Sequence, residues 1–473
     1  MIFPTLNFLL FYLVVWPVAW GLALLRQHTL HKLAIIAASY FFYCVWNWKL
    51  AFLLFASVVL NFAAGRLIDA TRGGTRLWTV RLAVAANLSL LGFFKYYGWF
   101  VDSLGELLRS VGMTRELPML EVVLPIGISF FTFQGISYIV DLHRGDLDRS
   151  RKLIDVMFFI SFFPHLVAGP IVRAASFLPQ LETPPSPNRV FVGLGMILIV
   201  WGVFKKAIVA NYLAVQLVDK AFFDPTAFGA LDLWFAVYGY AVQIYCDFSA
   251  YSDIAIGVAA LLGYRFQRNF DQPYRAERLR EFWRRWHMSL SSWLRDYLYI
   301  PLGGNRGGEL RTYRNLLLTM VLGGIWHGAA WKFVVWGALH GGVLAAERWI
   351  ESLLPKPAGV EPFWRRVVGV LLVFHFVCFC WIFFRAEDMT RAGEMLAGLL
   401  DGSKHSTLLT RFHVALIAFG LAIQFTPSDT LQRADRLVRR LSPWSLGALA
   451  GLAILLIEAI GGDGAAPFIY FQF

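Results

Sequence analysis

Charge is what this chain has least of. Of its 473 residues only 16% are Asp, Glu, Lys or Arg, against roughly 25% in a soluble globular protein. Cysteine is scarce too. Cys44, Cys246, Cys378 and Cys380 all lie in or beside apolar runs, which argues against a disulfide framework and makes them small buried hydrophobes. Cys378 and Cys380 form C-x-C without neighbouring residues at metal-ligand spacing, so no metal site is expected. The net charge of +12 comes with no long Lys/Arg tract and no zinc-finger spacing, which removes nucleic acid as a partner. H-E-x-x-H and G-x-S-x-G are missing, and Pro301 to Gly308 (PLGGNRGG) lacks the G-x-G-x-x-G fingerprint. The N-terminus has no basic n-region and no cleavage site, so it reads as a retained membrane span.

Apolar length is what the chain has in excess. It is 58% hydrophobic and 16% aromatic, with a mean hydropathy of +0.57. Apolar spans fall near 7–25, 33–46, 50–64, 78–100, 121–142, 153–171, 190–216, 229–263, 315–349, 367–384, 411–425 and 443–460. A bilayer crossing takes about 20 such residues. The expected fold is therefore all-α: a polytopic integral membrane protein with about 11 transmembrane helices plus short interfacial or re-entrant helices. The pair 33–46 and 50–64 is expected to turn at Asn47-Trp48-Lys49. In Phe162 to Arg173 (FFPHLVAGPIVR), two prolines and a glycine at membrane depth predict a broken or re-entrant helix. Lys205 and Lys206 interrupt the span at 190–216. Arg26 and Lys32 follow the first span, so the positive-inside rule places Met1 outside the cytoplasm.

One region departs from this pattern. Residues 265–314 carry eleven arginines against five acidic residues, which assigns them to the cytoplasmic face. At helical spacing Trp283, Trp286, Leu290, Trp293 and Tyr297 form an aromatic stripe, with Arg284, His287, Ser291 and Arg295 on a neighbouring polar face. An interfacial helix anchored by tryptophans and a polar wall leading to a membrane-embedded site both fit that spacing.

Histidines are the candidates for chemistry. His327 lies in Gly323 to Trp331 (GGIWHGAAW), between LLLTMVL and FVVWGAL. A neutral imidazole at membrane depth accepts a proton, as a general base must. A histidine bonded across a small-residue helix interface is the competing reading, and the residues alone leave both open. His287 in RRWHMSLS reads alone as interfacial. His165 and His340 read as structural, His340 because thirteen residues turn it away from His327 on a continuous helix. Asp247 and Asp253 are six apart in an apolar span. That spacing is poor for a paired acid catalyst and better for bonding a histidine, an arginine or helix termini.

Taken in order, LPIGISFFTFQGISYIVD, FPHLVAGPIVR, YCDFSAYSDIAIG, NFDQPYRA, FWRRWHMSLSSWLRDYLYIPLGGNR and YRNLLLTMVLGGIWHGAAWKFVVWGALHG resemble the membrane-bound O-acyltransferase (MBOAT) family, in its bacterial alginate and polysaccharide O-acetyltransferase branch. The resemblance runs from about Leu124 to Glu347, and the outer spans share only hydrophobic character. It implies one MBOAT-type domain over 1–473, with N-terminal helices in 1–120, a catalytic core in 121–350 that includes the cytoplasmic amphipathic segment 265–314, and C-terminal helices in 351–473.

It further implies acetyl transfer from a cytoplasmic thioester across the bacterial inner membrane, for O-acetylation of an exported polysaccharide such as alginate. His327 is then the catalytic base and His287 lies towards the cytoplasmic access. Trp326, Arg284, Arg285, Ser291, Arg295 and Asp247 are candidates for the donor channel. The donor is acetyl-CoA or another acyl thioester, with no tightly bound cofactor and no metal. The partners implied are the lipid bilayer, an acyl-CoA or acyl-carrier donor, an SGNH-type periplasmic acetyltransferase and polysaccharide export machinery. D-alanyl or other acyl transfer to a cell-wall polymer shares the RWHMSLS and WHG elements. A transporter or flippase of the acyl donor or glycan, the further alternative, would be expected to show related halves, and none is visible.

Overall fold

The computed structural model describes residues 5–113, 120, 122–186, 192–354, 362–461 and 468. Met1 and the opening residues of the spans expected near 121 and 190 lie outside them. Every regular element among the described residues is helical. Six helices are long and apolar enough to cross a membrane, or seven if a pair bent by 91° counts as one span. The number falls below eleven for local reasons. Glu309–His327 starts with ELRTYRN, Trp331–Leu353 ends with ERWIESL and Ile128–Arg144 has only 17 residues, so these helices are too polar at one end or too short to be among the six.

The chain divides into two units, Met1–Gly195 with Ala255–Gln267 and Met196–Ile254 with Arg268–Phe473. The first unit holds α1 (Leu6–Leu24), α2 (His28–Ala70), α3 (Gly73–Ser110), α4 (Ile128–Arg144) and α5 (Leu153–Ser161). Helix α2 leaves helical geometry at Asn47 (φ −158°, ψ 106°), whose Oδ1 accepts from the Lys49 N–H. The break falls in the expected turn, but helix extends beyond both expected short spans and gives each half the length of a crossing. Polar groups buried here are bonded, as a low-dielectric interior requires. Asn61 and Asn87 exchange reciprocal amide bonds at 3.2 and 3.1 Å, and Lys32 meets Asp155 at 2.6 Å. After α5 the chain breaks at Phe162 (φ −57°, ψ 111°), as the Pro/Gly content of 162–173 predicts.

The second unit carries most of α6 (Val192–Phe204) and α7 (Ala230–Leu261), followed by α8 (Leu279–Arg285), α9 (Met288–Leu294), α10 (Glu309–His327), α11 (Trp331–Leu353) and α12 (Phe363–Arg385). It closes with α13 (Met389–Gly398), α14 (Arg411–Ala422), α15 (Thr430–Val438) and α16 (Pro443–Gly461). Lys205 and Lys206 do not end the helix; they open a π-helical stretch, Lys205–Ala210. Their ammonium groups are neutralised from α7, Lys205 by Asp253 (2.7 Å) and Ser249 (2.6 Å) and Lys206 by Asp247 (2.7 Å).

Two departures from the sequence reading matter most. The aromatic stripe from Trp283 to Tyr297 does not lie on one helix, because the chain breaks at Trp286–His287 between α8 and α9. Trp286, Leu290 and Trp293 are buried in protein. The span at 315–349, long enough to hold more than one crossing, is likewise not the continuous helix on which His340 turns away from His327. It folds at Gly328–Ala330 into the antiparallel hairpin α10–α11. Glycines allow that contact: a Cβ at Gly324 would stand 2.2 Å from the Phe333 carbonyl oxygen, and one at Gly337 2.4 Å from that of Met320.

Candidate active site

His327 is the last residue of α10, where Gly328 turns to extended backbone (φ −165°). Its ring is 6% exposed and stands among three aromatic neighbours: Trp326 at 5.0 Å, Trp336 at 5.2 Å and Phe384 at 5.2 Å between centroids, all close to edge-on. The glycines beside it bring a second helix close.

His287 arrives from another direction. It forms the break between α8 and α9 with left-handed backbone (φ 41°, ψ 55°), a conformation costing a non-glycine residue about 1–2 kcal/mol. Strain of this kind concentrates where surrounding structure holds a side chain for a task. The imidazole has no exposed surface and packs on Phe248 of α7 at 4.5 Å and on Trp326 at 6.3 Å. Burial pushes its pKa down to about 3, so it is neutral at physiological pH. Trp326 thus has a ring contact with both histidines.

Asn269 is a polar partner of His287. The Asn269 Oδ1 lies 3.2 Å from the His287 Nδ1, 3.1 Å from the Ser289 N–H and 2.8 Å from the Ser289 Oγ, while its Nδ2 donates to the Ser252 Oγ at 3.0 Å. The Met288 N–H donates to the Asn269 main-chain oxygen at 2.8 Å, tying the loop across the break.

A cavity of about 480 Å3 opens beside this point, walled by α8, α9, α10 and α11. Arg284, Ser291 and Arg295 line it together, as their shared face suggests, and so do Trp283 and Met288, the residue after His287. The arginines differ in what they already hold. Arg295 forks onto Asp296 at 2.6 and 3.0 Å, and Arg348, also in the wall, forks onto Glu309 at 2.9 and 3.1 Å. Arg284 has no carboxylate partner among the described residues. Arg285 is not in the wall; it binds Glu281 (2.7 Å) and Asp271 (3.6 Å). Asp247 is engaged with Lys206 rather than with either histidine.

From the cavity a chain of rings leads to His327. Trp283 packs on Trp336 at 5.7 Å, and Trp336 on His327 at 5.2 Å. His340, on the other helix of the hairpin from His327, fixes this chain: the Trp283 indole N–H donates to its Nδ1 at 3.3 Å, and its ring lies 4.7 Å from Trp336. The wall also holds Glu347 and Glu351, the latter paired with Arg280, so Arg284 is the wall arginine left to meet an anionic ligand. Two imidazoles, that arginine and an aromatic path to His327 suit proton transfer beside such a ligand with an apolar reactive end.

The family model described as MBOAT, membrane-bound O-acyltransferase family, matches residues 144–386. The chain belongs to that family. It is a multi-pass membrane acyltransferase. It is 43% identical over 409 residues to a protein named probable alginate O-acetylase AlgI from Azotobacter vinelandii, covering 85% of this chain and 78% of that one. With the protein of the same name from Pseudomonas putida it shares 38% identity over the whole of both chains. A peptidoglycan O-acetyltransferase from Helicobacter pylori is 36% identical, over 78% of this chain and 73% of that one.

In this acyltransferase the sequence names both histidines, Arg284 and Arg295 as candidates and reads His340 as structural, but it passes over two neighbours, Trp336 and Asn269. A continuous helix there would set His340 and Trp336 apart from His327, whereas the hairpin brings both to its ring chain. Asn269 is inside NFDQPYRA, quoted only as a family segment, and its separation of 18 residues from His287 carries no periodic signal.

Proposed function

We propose that this acyltransferase moves an acetyl group from a thioester to a hydroxyl, for O-acetylation of an exported polysaccharide, alginate or a similar polymer. The observation that carries the reading is the full-length likeness to a protein named as an alginate O-acetylase. The chemistry assigned to the site is as follows. His327 takes the proton of the acceptor hydroxyl as its oxygen attacks the thioester carbonyl carbon. The carbonyl π electrons move onto oxygen and a tetrahedral adduct forms. As it collapses the C–S bond breaks, and the departing thiolate takes the proton back from the imidazolium. Acid–base help of this kind contributes typically 10²–10⁴-fold, and the ring packing around His327 keeps water from competing for the acyl group.

The donor, acetyl-CoA or an acyl carrier, docks in the cavity, its phosphate held by Arg284 with Arg295 and Ser291 alongside. Arg285 lies outside that wall and Asp247 is spent on Lys206, so neither contacts the donor directly. Trp326 sets the spacing of the two imidazoles. By the positive-inside rule the cavity faces the cytoplasm of a bacterial inner membrane and the N-terminus faces the periplasm. The acetyl group then reaches the polymer through an SGNH-type periplasmic acetyltransferase and the export machinery. The test is acetyl content of the exported polymer in cells carrying His327→Ala at normal membrane abundance. Loss of acetyl supports the reading, and persistence of acetyl at the native level overturns it.

A further inference from the structure

We infer that Asn269 is a positioning residue, which holds His287 in the tautomer protonated at Nδ1 and so makes Nε2 the ring's hydrogen-bond acceptor. The inference rests on the acyltransferase reading of His287 and is argued from the bonds around one carboxamide. A main-chain N–H can only donate, so the Asn269 atom 3.1 Å from the Ser289 N–H is the oxygen. The opposite atom, 3.0 Å from the Ser252 Oγ, is then the amide nitrogen, and the orientation of the group is determined from both sides.

An amide oxygen has lone pairs and no proton. The His287 Nδ1, 3.2 Å from it, must therefore be the protonated ring nitrogen. Ser289 offers no alternative: its hydroxyl lies 3.4 Å from the His287 Nδ1, but its one proton goes to the same Asn269 oxygen at 2.8 Å. In a neutral imidazole the second nitrogen then carries the lone pair. The left-handed backbone of His287 and the Phe248 ring against it hold the imidazole that carries that lone pair.

A carboxamide is suited to this task where a carboxylate is not. Both accept from Nδ1, but a carboxylate would favour the imidazolium and remove the lone pair. Ser252 and Phe248, four residues apart on α7, make that helix the platform for the arrangement: one bonds the amide nitrogen, the other supports the ring.

The test is the rate–pH profile of acetyl transfer by the full-length protein in membranes, with acetyl-CoA as donor, for Asn269→Asp, Ser252→Ala and His287→Ala, alone and combined. Asn269→Asp keeps shape and the acceptor beside the His287 Nδ1, and the Ser252 hydroxyl can turn its proton to the second carboxylate oxygen; rates are compared per folded molecule. Its acidic limb should move to higher pH by a unit or more, with activity recovering as pH rises. Ser252→Ala, which releases the amide to rotate, should lower turnover several-fold without moving KM for the donor. In the His287→Ala background neither change should have further effect. An unmoved limb in Asn269→Asp, or losses that multiply with that of His287→Ala, overturns the inference. His327→Ala, run in parallel, separates the outcomes. If it abolishes transfer while the Asn269→Asp limb stays in place, only the positioning role fails; if it leaves transfer intact, the acyltransferase assignment of the site fails.

Discussion

Of the three histidines among the described residues that have no exposed surface, His165 and His287 have similar company yet are held in different ways. His165, in the first unit, is ringed by Phe162 at 5.6 Å, Phe177 at 5.8 Å and Phe266 at 5.1 Å. His287, in the second, stands against Phe248 at 4.5 Å and Trp326 at 6.3 Å. His165 donates from Nε2 to the Phe159 main-chain oxygen at 2.8 Å, six residues back, and so closes the end of its own broken helix. His287 bonds a side chain from a separate segment, and that side chain is itself oriented by two further residues. Only His287 has left-handed backbone. Burial and aromatic neighbours are therefore shared by a packing histidine and a histidine held for a task. The origin of its partner and the strain in its backbone tell them apart.

The largest effect that tests this contrast is expected at His327, whose neighbours are those of the second kind. His327→Ala should lower acetyl transfer by about 100-fold or more while the protein remains in the membrane. Measurement of polymer acetyl against immunodetected protein decides the matter. A loss matched by disappearance of the protein would put His327 with His165.

The hairpin that carries His327 supplies the next effect. Gly324→Ala sets a methyl 2.2 Å from the Phe333 oxygen, a main-chain atom that cannot turn aside. Overpacking of that kind costs about 1–3 kcal/mol. A lower thermal midpoint in detergent is expected, with turnover falling because His327 and Trp336 sit on opposite helices of the pair. The same substitution at Gly342, where a Cβ meets nothing within 4 Å, should leave both unchanged.

These substitutions also mark what was legible in advance. Apolar length and Pro/Gly punctuation showed an all-helical membrane chain, the turn at Asn47 and the break after Phe162, because both signals are local. The shared face of Arg284, Ser291 and Arg295 survived the break at His287 and reached one cavity wall. Periodicity failed where backbone turned without a proline. Nothing in RRWHMSLS announces a left-handed histidine, and Gly328-Ala329-Ala330 resembles the small-residue runs inside many membrane helices. Reading through those turns left Trp336 unnoticed, set His340 apart from His327 and pointed the aromatic stripe towards lipid instead of protein. Asp247 shows the complementary failure: its setting suggested a bond to a histidine, an arginine or helix termini, but its partner is a lysine on a helix whose spacing to it no local rule encodes.

Arg284 and Arg285 offer a sharper version of the same contrast, since they are neighbours in sequence with opposite engagements. Arg284→Glu should raise the donor KM by about tenfold, the loss of one charge-assisted contact to phosphate, with kcat changed little. Arg285→Glu breaks pairs with Glu281 and Asp271 outside the cavity and should leave the donor KM unchanged. Equal shifts in KM would mean that bulk positive charge, and not the cavity wall, attracts the donor.

The smallest effect is expected at His165, and its smallness is informative. His165→Phe keeps an aromatic ring in a site made of aromatic rings and removes one hydrogen bond, leaving the Phe159 oxygen unsatisfied. A net loss of about 1 kcal/mol follows, since the buried imidazole no longer has to be stripped of water while the orphaned carbonyl must be. The thermal midpoint should fall by a few degrees, and turnover per folded molecule should stay at the parental value. A drop in turnover without a drop in midpoint would transfer His165 to the other class of histidine. It would also show that a main-chain partner within the same broken helix is no mark of a purely structural role.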